Sequence, residues 1–519
     1  MEKTTSQRKK SKAGRIAGLM ALTSLMLLAF LAFFAAWWYV RVYGRIGFDS
    51  VLFTLTGGLG GVSKTLVNDF LLKAALPAVI CTGSLALTLF YNGDGEICIG
   101  KVRVYPLKRQ LSGAIATVLS LGLLIHAAFN VELVDYLFHT GQSTNLYQDE
   151  YVDPEKTQIT FPSQKRNLIY IFLESMETSY QSQELGGALQ YNLIPELTQL
   201  AQENVNFSNN ESVGGFRQVT GASWTIGAMT AHTGGVPLKV PDGIIDWQNG
   251  YGQDGEFLDG LSNLTSILHD AGYYQTLMVG SVVSFGGRDT FYENHGVDTI
   301  YDLATAYRDG TVPYGYWNDF WGMEDLYLYE YAKTELTKIS QQDQPFAFTM
   351  LTVDTHHIGG FKCQLCGSNY EESYENAIAC ASKQVKNFVD WIRQQDWYDN
   401  TTIVITGDHC SMDNGYFSRN VSDSYVRHIY NCFINAAAEP IYTKNRQFCA
   451  MDMFPTTLSA MGCSIEGDRL GLGTNLFSPL PTLMERIGYT DLCTELGKKS
   501  DYYAEHFYGR DYSVPQPTQ

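Results

Sequence analysis

The sequence predicts an α/β fold, a mostly parallel central sheet flanked by helices, carried on an N-terminal helical membrane anchor of about three spans. Three observations predict it. Three long apolar runs free of charge lie within the first 130 residues. Beyond residue 166, short continuous apolar runs alternate with helical stretches, the pattern of parallel strands buried on both faces. The charge divides at the same place: residues 1–139 hold 14 Lys+Arg against 7 Asp+Glu, and the remaining 380 hold 22 against 47. A basic anchor suits anionic lipid head groups. So acidic a domain is a poor partner for nucleic acid, whose phosphates need clustered Lys and Arg. The 33 Tyr, 27 Phe and 8 Trp supply enough apolar surface to exclude disorder as the main state.

The anchor is assigned to residues 1–136. Its first span, 16–40, follows Lys9, Lys10, Lys12 and Arg15 and ends at Trp37, Trp38 and Tyr39, a basic flank and an aromatic belt. A cleaved signal peptide would carry a shorter apolar stretch of about 7–15 residues. The second span covers 74–92 and the third 111–130. Lys101, Arg103, Lys108 and Arg109 between them belong in the cytoplasm, which sends everything after about Tyr136 to the other side. Residues 137–165, polar and without periodicity, read as a linker. A single domain then occupies 166–500, and 501–519 read as a loose tail.

Within the domain, Leu168 to Leu173, Thr276 to Val279, Phe346 to Leu351 and Thr402 to Thr406 are the apolar runs. Helical stretches fall near 191–203, 256–271, 323–340 and 374–395, so strands alternate with helices. Cys363 and Cys366 form a C-x-x-C, but no second such pair and no H-x-x-x-H completes a zinc site. A local disulfide or two free thiols are expected there, and the eight cysteines beyond the anchor permit disulfides outside the cytoplasm.

Ligands of open parallel sheets gather at the carboxyl ends of the strands. The predicted ends read Glu174-Ser175, Asp354-Thr355-His356-His357 and Gly407-Asp408-His409. Carboxylates and histidines that end three separate strands can converge on one metal ion. Taken alone, a Glu after a strand reads as a helix-capping or solvated residue, and an Asp-His pair reads also as a structural hydrogen-bonded pair.

Their joint order carries more. Asn167 to Ser175, then Gly221-Ala222-Ser223-Trp224-Thr225-Ile226, then Asp354 to His357, then Thr406-Gly407-Asp408-His409, resembles the alkaline-phosphatase/sulfatase superfamily. Within it the chain is similar to the membrane-anchored phosphoglycerol transferases, which include lipoteichoic acid synthases and the transferases that decorate periplasmic glucans. The resemblance covers about residues 160–480 and the anchor layout. It implies that Glu174, Asp408 and His409 hold one divalent metal ion, Mn²⁺ first, with Mg²⁺ or Zn²⁺ as alternatives. Such an ion lowers the pKa of a coordinated hydroxyl, and a hydroxyl nucleophile is weak without that help.

The family's Gly-x-x-Trp-Thr-Ile pattern implies Thr225 as the nucleophile and fourth metal partner, with Ser223 as the alternative. Gly287-Arg288-Asp289 resembles the segment whose Arg binds the head group, and Arg288 can meet phosphate oxygens with its planar fork. Gly286 departs from the lipoteichoic branch, which has Trp there. His356 matches the substrate histidine, with His357 as the alternative. The resemblance thus implies transfer of glycerol phosphate from phosphatidylglycerol, through a phospho-threonine intermediate, to an envelope glycolipid, polymer or glucan. The alternatives are a phosphoethanolamine transferase, a sulfatase-like hydrolase lacking the usual Cys/Ser motif, and a membrane-tethered envelope-binding protein.

Overall fold

A computed structural model describes the chain except residues 1, 46, 49, 53–63, 91–96, 100, 101, 105–108, 240–254, 313–321 and 509–519. The described residues divide into two compact units, one within the first 135 residues and one running chiefly from residue 136 onward.

The first unit holds helix α1 (Glu2–Tyr43), helix α2, and helix α3 (Arg109–Asn130). Helix α2 runs from Lys64–Phe70 through a π-helical turn at Leu71–Ala75 into Leu76–Phe90. Ile16–Tyr43, Leu66–Leu87 and Leu111–Asn130 are long and apolar enough to cross a membrane. The second span starts earlier than the predicted residue 74, and residues 91 and 92 lie outside the described residues. The uncharged run begins only after Lys73, yet the helix extends back because Lys73 is ion-paired. Its Nζ lies 2.5 Å from Asp69, which also accepts the Trp38 indole N–H at 2.8 Å. Charges near a span are tolerated when they pair with one another. Pro77 has no N–H to give and its ring crowds the preceding turn; the wider π turn just before it accommodates both.

The second unit is built on a seven-stranded sheet. In chain order its strands are β1 (Asn167–Leu173), β2 (Gly215–Phe216), β3 (Tyr274–Val279), β4 (Thr299–Tyr301), β5 (Phe346–Leu351), β6 (Thr401–Gly407) and β7 (Ile429–Ile434). Across the sheet the order is β2-β7-β6-β1-β5-β3-β4. The five strands from β6 to β4 are parallel, and β7 and β2 complete one edge antiparallel. Strand β1 is buried along its whole length. Leu168, Tyr170 and Phe172 enter one core layer, Ile169, Ile171 and Leu173 the other, as the two-residue period of a strand requires. This explains the unbroken apolar run.

Helices α4 (Pro195–Glu203), α8 (Asp325–Ile339) and α9 (Ser373–Ile392) cover the face carrying Ile169. Helices α5 (Thr225–Gly234), α6 (Leu264–Asp270), α7 (Arg288–Asn294) and α10 (Met453–Ala460) contribute to the layer carrying Tyr170. A short helix α11 (Asp501–Phe507) follows, its first turn capped by Ser500 Oγ, which accepts Tyr503 N–H at 3.1 Å.

Two predicted segments differ. The residues read as a linker are integrated into the second unit: Tyr147 is fully buried, and Ile159–Thr160 pairs antiparallel with Ser464–Ile465. The residues read as a tail begin with α11, whose Tyr503 and Phe507 rings pack edge-on against Tyr147 at 5.3 and 6.3 Å. The two segments are short pieces that each bury isolated aromatics, so neither shows periodicity. Residues 509–519 lie outside the described residues.

Phe507 is 1% exposed. Phe507→Ala is expected to destabilise the second unit by about 3–5 kcal/mol, the usual loss for a buried ring, read from denaturant unfolding. A surface-like loss of a few tenths would show the helix to be dispensable.

His232 of α5 is also fully buried, its Nδ1 2.9 Å from the Tyr170 hydroxyl and its ring edge-on to Phe172 and Phe216. Burial pushes its pKa down to about 3. The unfolded chain therefore binds a proton that the folded chain refuses, and stability falls as pH drops below about 6.5 toward 3. The cost is about 1.4 kcal/mol per pH unit in that window. His232→Gln should show a shallower acid loss of unfolding free energy than the unaltered chain; parallel slopes would refute the assignment.

Candidate active site

The sheet register brings the site together. Leu173 of β1 lies opposite Gly407 of β6, so the next residues, Glu174 and Asp408, leave adjacent strand ends side by side. Gly407 is required there, because a Cβ would come within 2.1 Å of the Met176 carbonyl oxygen. Both carboxylates are fully buried. His409 Nε2 lies 3.3 Å from Asp408 Oδ2 and 3.8 Å from Glu174 Oε1. Ligand atoms of all three residues lie within 4.8 Å of one another, so they can hold a metal ion.

The remaining polar atoms of the trio are held by their surroundings. Asp408 Oδ1 accepts the backbone N–H of Ser175 at 2.8 Å and of His409 at 2.7 Å. Ser175 Oγ donates to Glu174 Oε1 at 2.7 Å. His409 Nδ1 lies 2.9 Å from the Cys410 carbonyl. An Nδ1–H donated to that carbonyl leaves the Nε2 lone pair facing the carboxylates. The neighbouring Cys410 is not one of the converging groups, and burial pushes its thiol pKa up.

Two atoms of this cluster have no hydrogen-bond partner among the described residues, Glu174 Oε2 and Asp408 Oδ2. Burial first, and then the adjacent Asp408 carboxylate, push Glu174 well above the usual carboxylate range. Two buried carboxylates in contact oppose each other's ionisation, and a divalent cation between them removes that cost. Donor chemistry and burial therefore fit a divalent metal ion.

Thr225 is the first residue of α5, and its Oγ1 lies 3.4 Å from His409 Nε2. Of the two candidate hydroxyls, it is the one that reaches the carboxylate–histidine cluster. Ser223 is buried, and its Oγ lies 3.0 Å from Ser50 Oγ.

Arg288 opens α7 and is 1% exposed. Its Nε donates to the Phe285 carbonyl at 3.0 Å, and its Nη2 to Ser281 Oγ at 2.9 Å and the Val282 carbonyl at 2.8 Å. The Nε–Nη2 edge is thus occupied by its own loop, which differs from the sequence expectation of a fork open to phosphate. The Arg288 charge lies close enough to favour ionised Glu174, and burial lowers its own pKa only to about 10, so it stays cationic.

His356 and His357, on the loop after β5, stack with ring centroids 4.2 Å apart. Burial, then His357, then His409 hold His356 well below the usual histidine range; burial, then His409, push His357 down to about 3. Both are neutral at neutral pH.

Sequence reasoning missed the frame around these groups. Glu177 is fully buried and accepts Arg427 Nε at 2.8 Å and the Ser411 N–H at 2.7 Å, while Arg427 Nη2 donates to the Ser411 carbonyl at 2.7 Å. This ion pair ties the loop after Glu174 to the loop after His409. Ser175, at φ 54°, donates from both backbone and side chain. A second acid three residues after Glu174 was a visible signal; the 250-residue separation of Arg427 hid its role.

Comparison with known proteins agrees with this geometry. Residues 166–463 match the sulfatase family. The phosphoglycerol transferase I of Citrobacter koseri is 28% identical over 435 residues, covering 76% of this chain and 51% of that protein. The phosphoglycerol transferase I of Salmonella choleraesuis is 31% identical over 382 residues, covering 70% and 45%. The chain thus spans about half the length of these curated relatives. The integral membrane protein lipooligosaccharide phosphoethanolamine transferase A from Neisseria meningitidis has the same fold, with a TM-score of 0.51 at 14% identity over 85% of this chain and 84% of that one. The family match covers more than half of the chain, and its parallel sheet carries two carboxylates and a histidine at its strand ends; the chain belongs to the sulfatase family.

Proposed function

We propose that the chain is a membrane-anchored phosphoglycerol transferase whose second unit faces away from the cytoplasm. The observation that carries this reading is the hydroxyl of Thr225, at a helix start, facing the Glu174–Asp408–His409 cluster. Relatives named phosphoglycerol transferase I favour glycerol phosphate as the transferred group. Phosphatidylglycerol is the donor, and the acceptor is a hydroxyl of an envelope glycolipid, polymer or glucan. The anchor confines the site near lipid heads and raises the effective donor concentration.

Glu174, Asp408 and His409 would hold the metal ion, with Thr225 as an exchangeable fourth partner. When bound, the ion supplies a lowered hydroxyl pKa and screens phosphate charge. Thr225 Oγ1 gives up its proton and attacks the head-group phosphorus, and the bond from phosphorus to the diacylglycerol oxygen breaks. That oxygen takes up a proton and diacylglycerol leaves. An acceptor hydroxyl then attacks the phospho-threonine, gives up its proton and restores Thr225. The first turn of α5 presents N–H groups that favour a phosphoryl oxygen near Thr225. The Arg288 positive charge favours the anionic head group, and neutral His356, with His357 beside it, can hydrogen-bond to substrate oxygens without adding charge.

Asp408→Asn replaces a charged ligand and is expected to lose most bound metal, with Mn²⁺ tested first and Mg²⁺ and Zn²⁺ next. Full metal occupancy by elemental analysis would show the ligand set to be wrong.

Thr225→Ala is expected to abolish diacylglycerol release from head-group-labelled phosphatidylglycerol while lipid binding persists, because a covalent nucleophile acts on the chemical step. Normal release by a Thr225→Ala, Ser223→Ala double variant would rule out the covalent route. Faster release from labelled phosphatidylethanolamine than from phosphatidylglycerol would reassign the donor.

A further inference from the structure

The C-x-x-C pair gains a third cysteine in the folded chain. Cys363 and Cys366 lie on the loop that leaves β5 after His356 and His357, and Cys380 lies on α9. Cys363 Sγ is 3.7 Å from Cys366 Sγ and 3.8 Å from Cys380 Sγ, and the three sulfurs lie within 4.8 Å of one another. Cys363 and Cys380 are buried and Cys366 is half-buried.

Sulfurs bound to one tetrahedral zinc at about 2.3 Å are separated by about 3.8 Å, which is the separation of Cys363 from both partners. A disulfide would need about 2.05 Å, and Cys363 could bond only one of the two. The local backbone also suits metal capture. Cys366 N–H donates to the Cys363 carbonyl at 3.1 Å, closing a turn that points both sulfurs the same way. Gln384, one turn along α9 from Cys380, points its Nε2 at Cys380 Sγ at 3.5 Å and at Cys363 Sγ at 4.0 Å, a donor suited to thiolate sulfur. Asp354 Oδ2 is buried without a hydrogen-bond partner among the described residues.

We infer that Cys363, Cys366 and Cys380 form a zinc site, separate from the Glu174–Asp408–His409 cluster, that pins the His356-bearing loop to helix α9. Zinc binding displaces the three thiol protons to solvent, and water or a carboxylate of the neighbourhood takes the fourth position. The site orders a loop on which His356 and His357 depend for their position. It stands independently of the proposed transferase reaction.

The test uses the full chain purified in detergent with zinc supplied and no chelator. The Asp408→Asn variant, with its other cluster disabled, is expected to retain about one zinc per chain by elemental analysis, the occupancy of a single such site. Adding Cys363→Ser should remove that zinc. Treating the unaltered chain with an organomercurial should release the same equivalent, and this holds the test open should the serine variant fail to fold. After denaturation without reductant, all three cysteines should alkylate as thiols. Zinc content indifferent to both Cys363→Ser and the mercurial would overturn the inference. So would a Cys363–Cys366 or Cys363–Cys380 peptide lighter by two hydrogens, the disulfide that an oxidising compartment favours.

Discussion

The arrangement of the second unit turns on two carboxylates buried in contact at the ends of neighbouring parallel strands. Glu174 and Asp408 are fully buried, and burial of like charges is among the costliest things a fold can do. The surroundings answer that cost atom by atom. Asp408 Oδ1 takes two backbone N–H groups and Glu174 Oε1 takes the Ser175 hydroxyl, while Glu174 Oε2 and Asp408 Oδ2 have no hydrogen-bond partner among the described residues. Such a cluster is suited to a divalent cation.

Holding that geometry explains features otherwise hard to rationalise. Gly407 lets two backbones approach so that the acids meet. The Glu177–Arg427 pair, buried on the acid side, joins the two loops that carry the ligands. Removing one member would leave a charge buried alone, which is why such a pair reads as a clamp on geometry more than a source of net stability. The electrostatics are layered in the same sense: Arg288 is the nearby cation, while His356 and His357 stay neutral because they are desolvated beside other imidazoles. Arg288 thus brings positive charge near the cluster, and the two imidazole rings stay uncharged.

The loop after β5 is held from several directions. Asp325 accepts N–H groups of Val353 and Asp354, and Asp354 returns the interaction by accepting Asp325 N–H at 3.1 Å. Asp413 accepts Gly359 N–H at 2.8 Å, and the cysteine cluster closes the far end against α9. A loop needs this density of ties if a largely buried histidine is to keep one orientation.

The alternation of apolar runs with helical stretches determined the parallel sheet, because strands buried on both faces must be apolar without interruption, as β1 is. The uncharged lengths determined three helices long and apolar enough to cross a membrane; the strand-end motifs pointed to Glu174, Asp408 and His409 converging, and the family resemblance added Thr225. Tertiary structure decided the rest. Which end of α2 enters the span depended on an Asp69–Lys73 ion pair that a hydropathy run cannot register. Residues 137–165 and 501–508 join the core through scattered aromatics and a two-residue strand, contacts that leave no periodic trace. Arg288 has its Nε–Nη2 edge turned to its own loop, and Arg427 meets Glu177 across 250 residues. Cys380 completes a cluster that Cys363 and Cys366 only begin. Each of these depends on partners distant in the chain, and local sequence carries no record of distance in space.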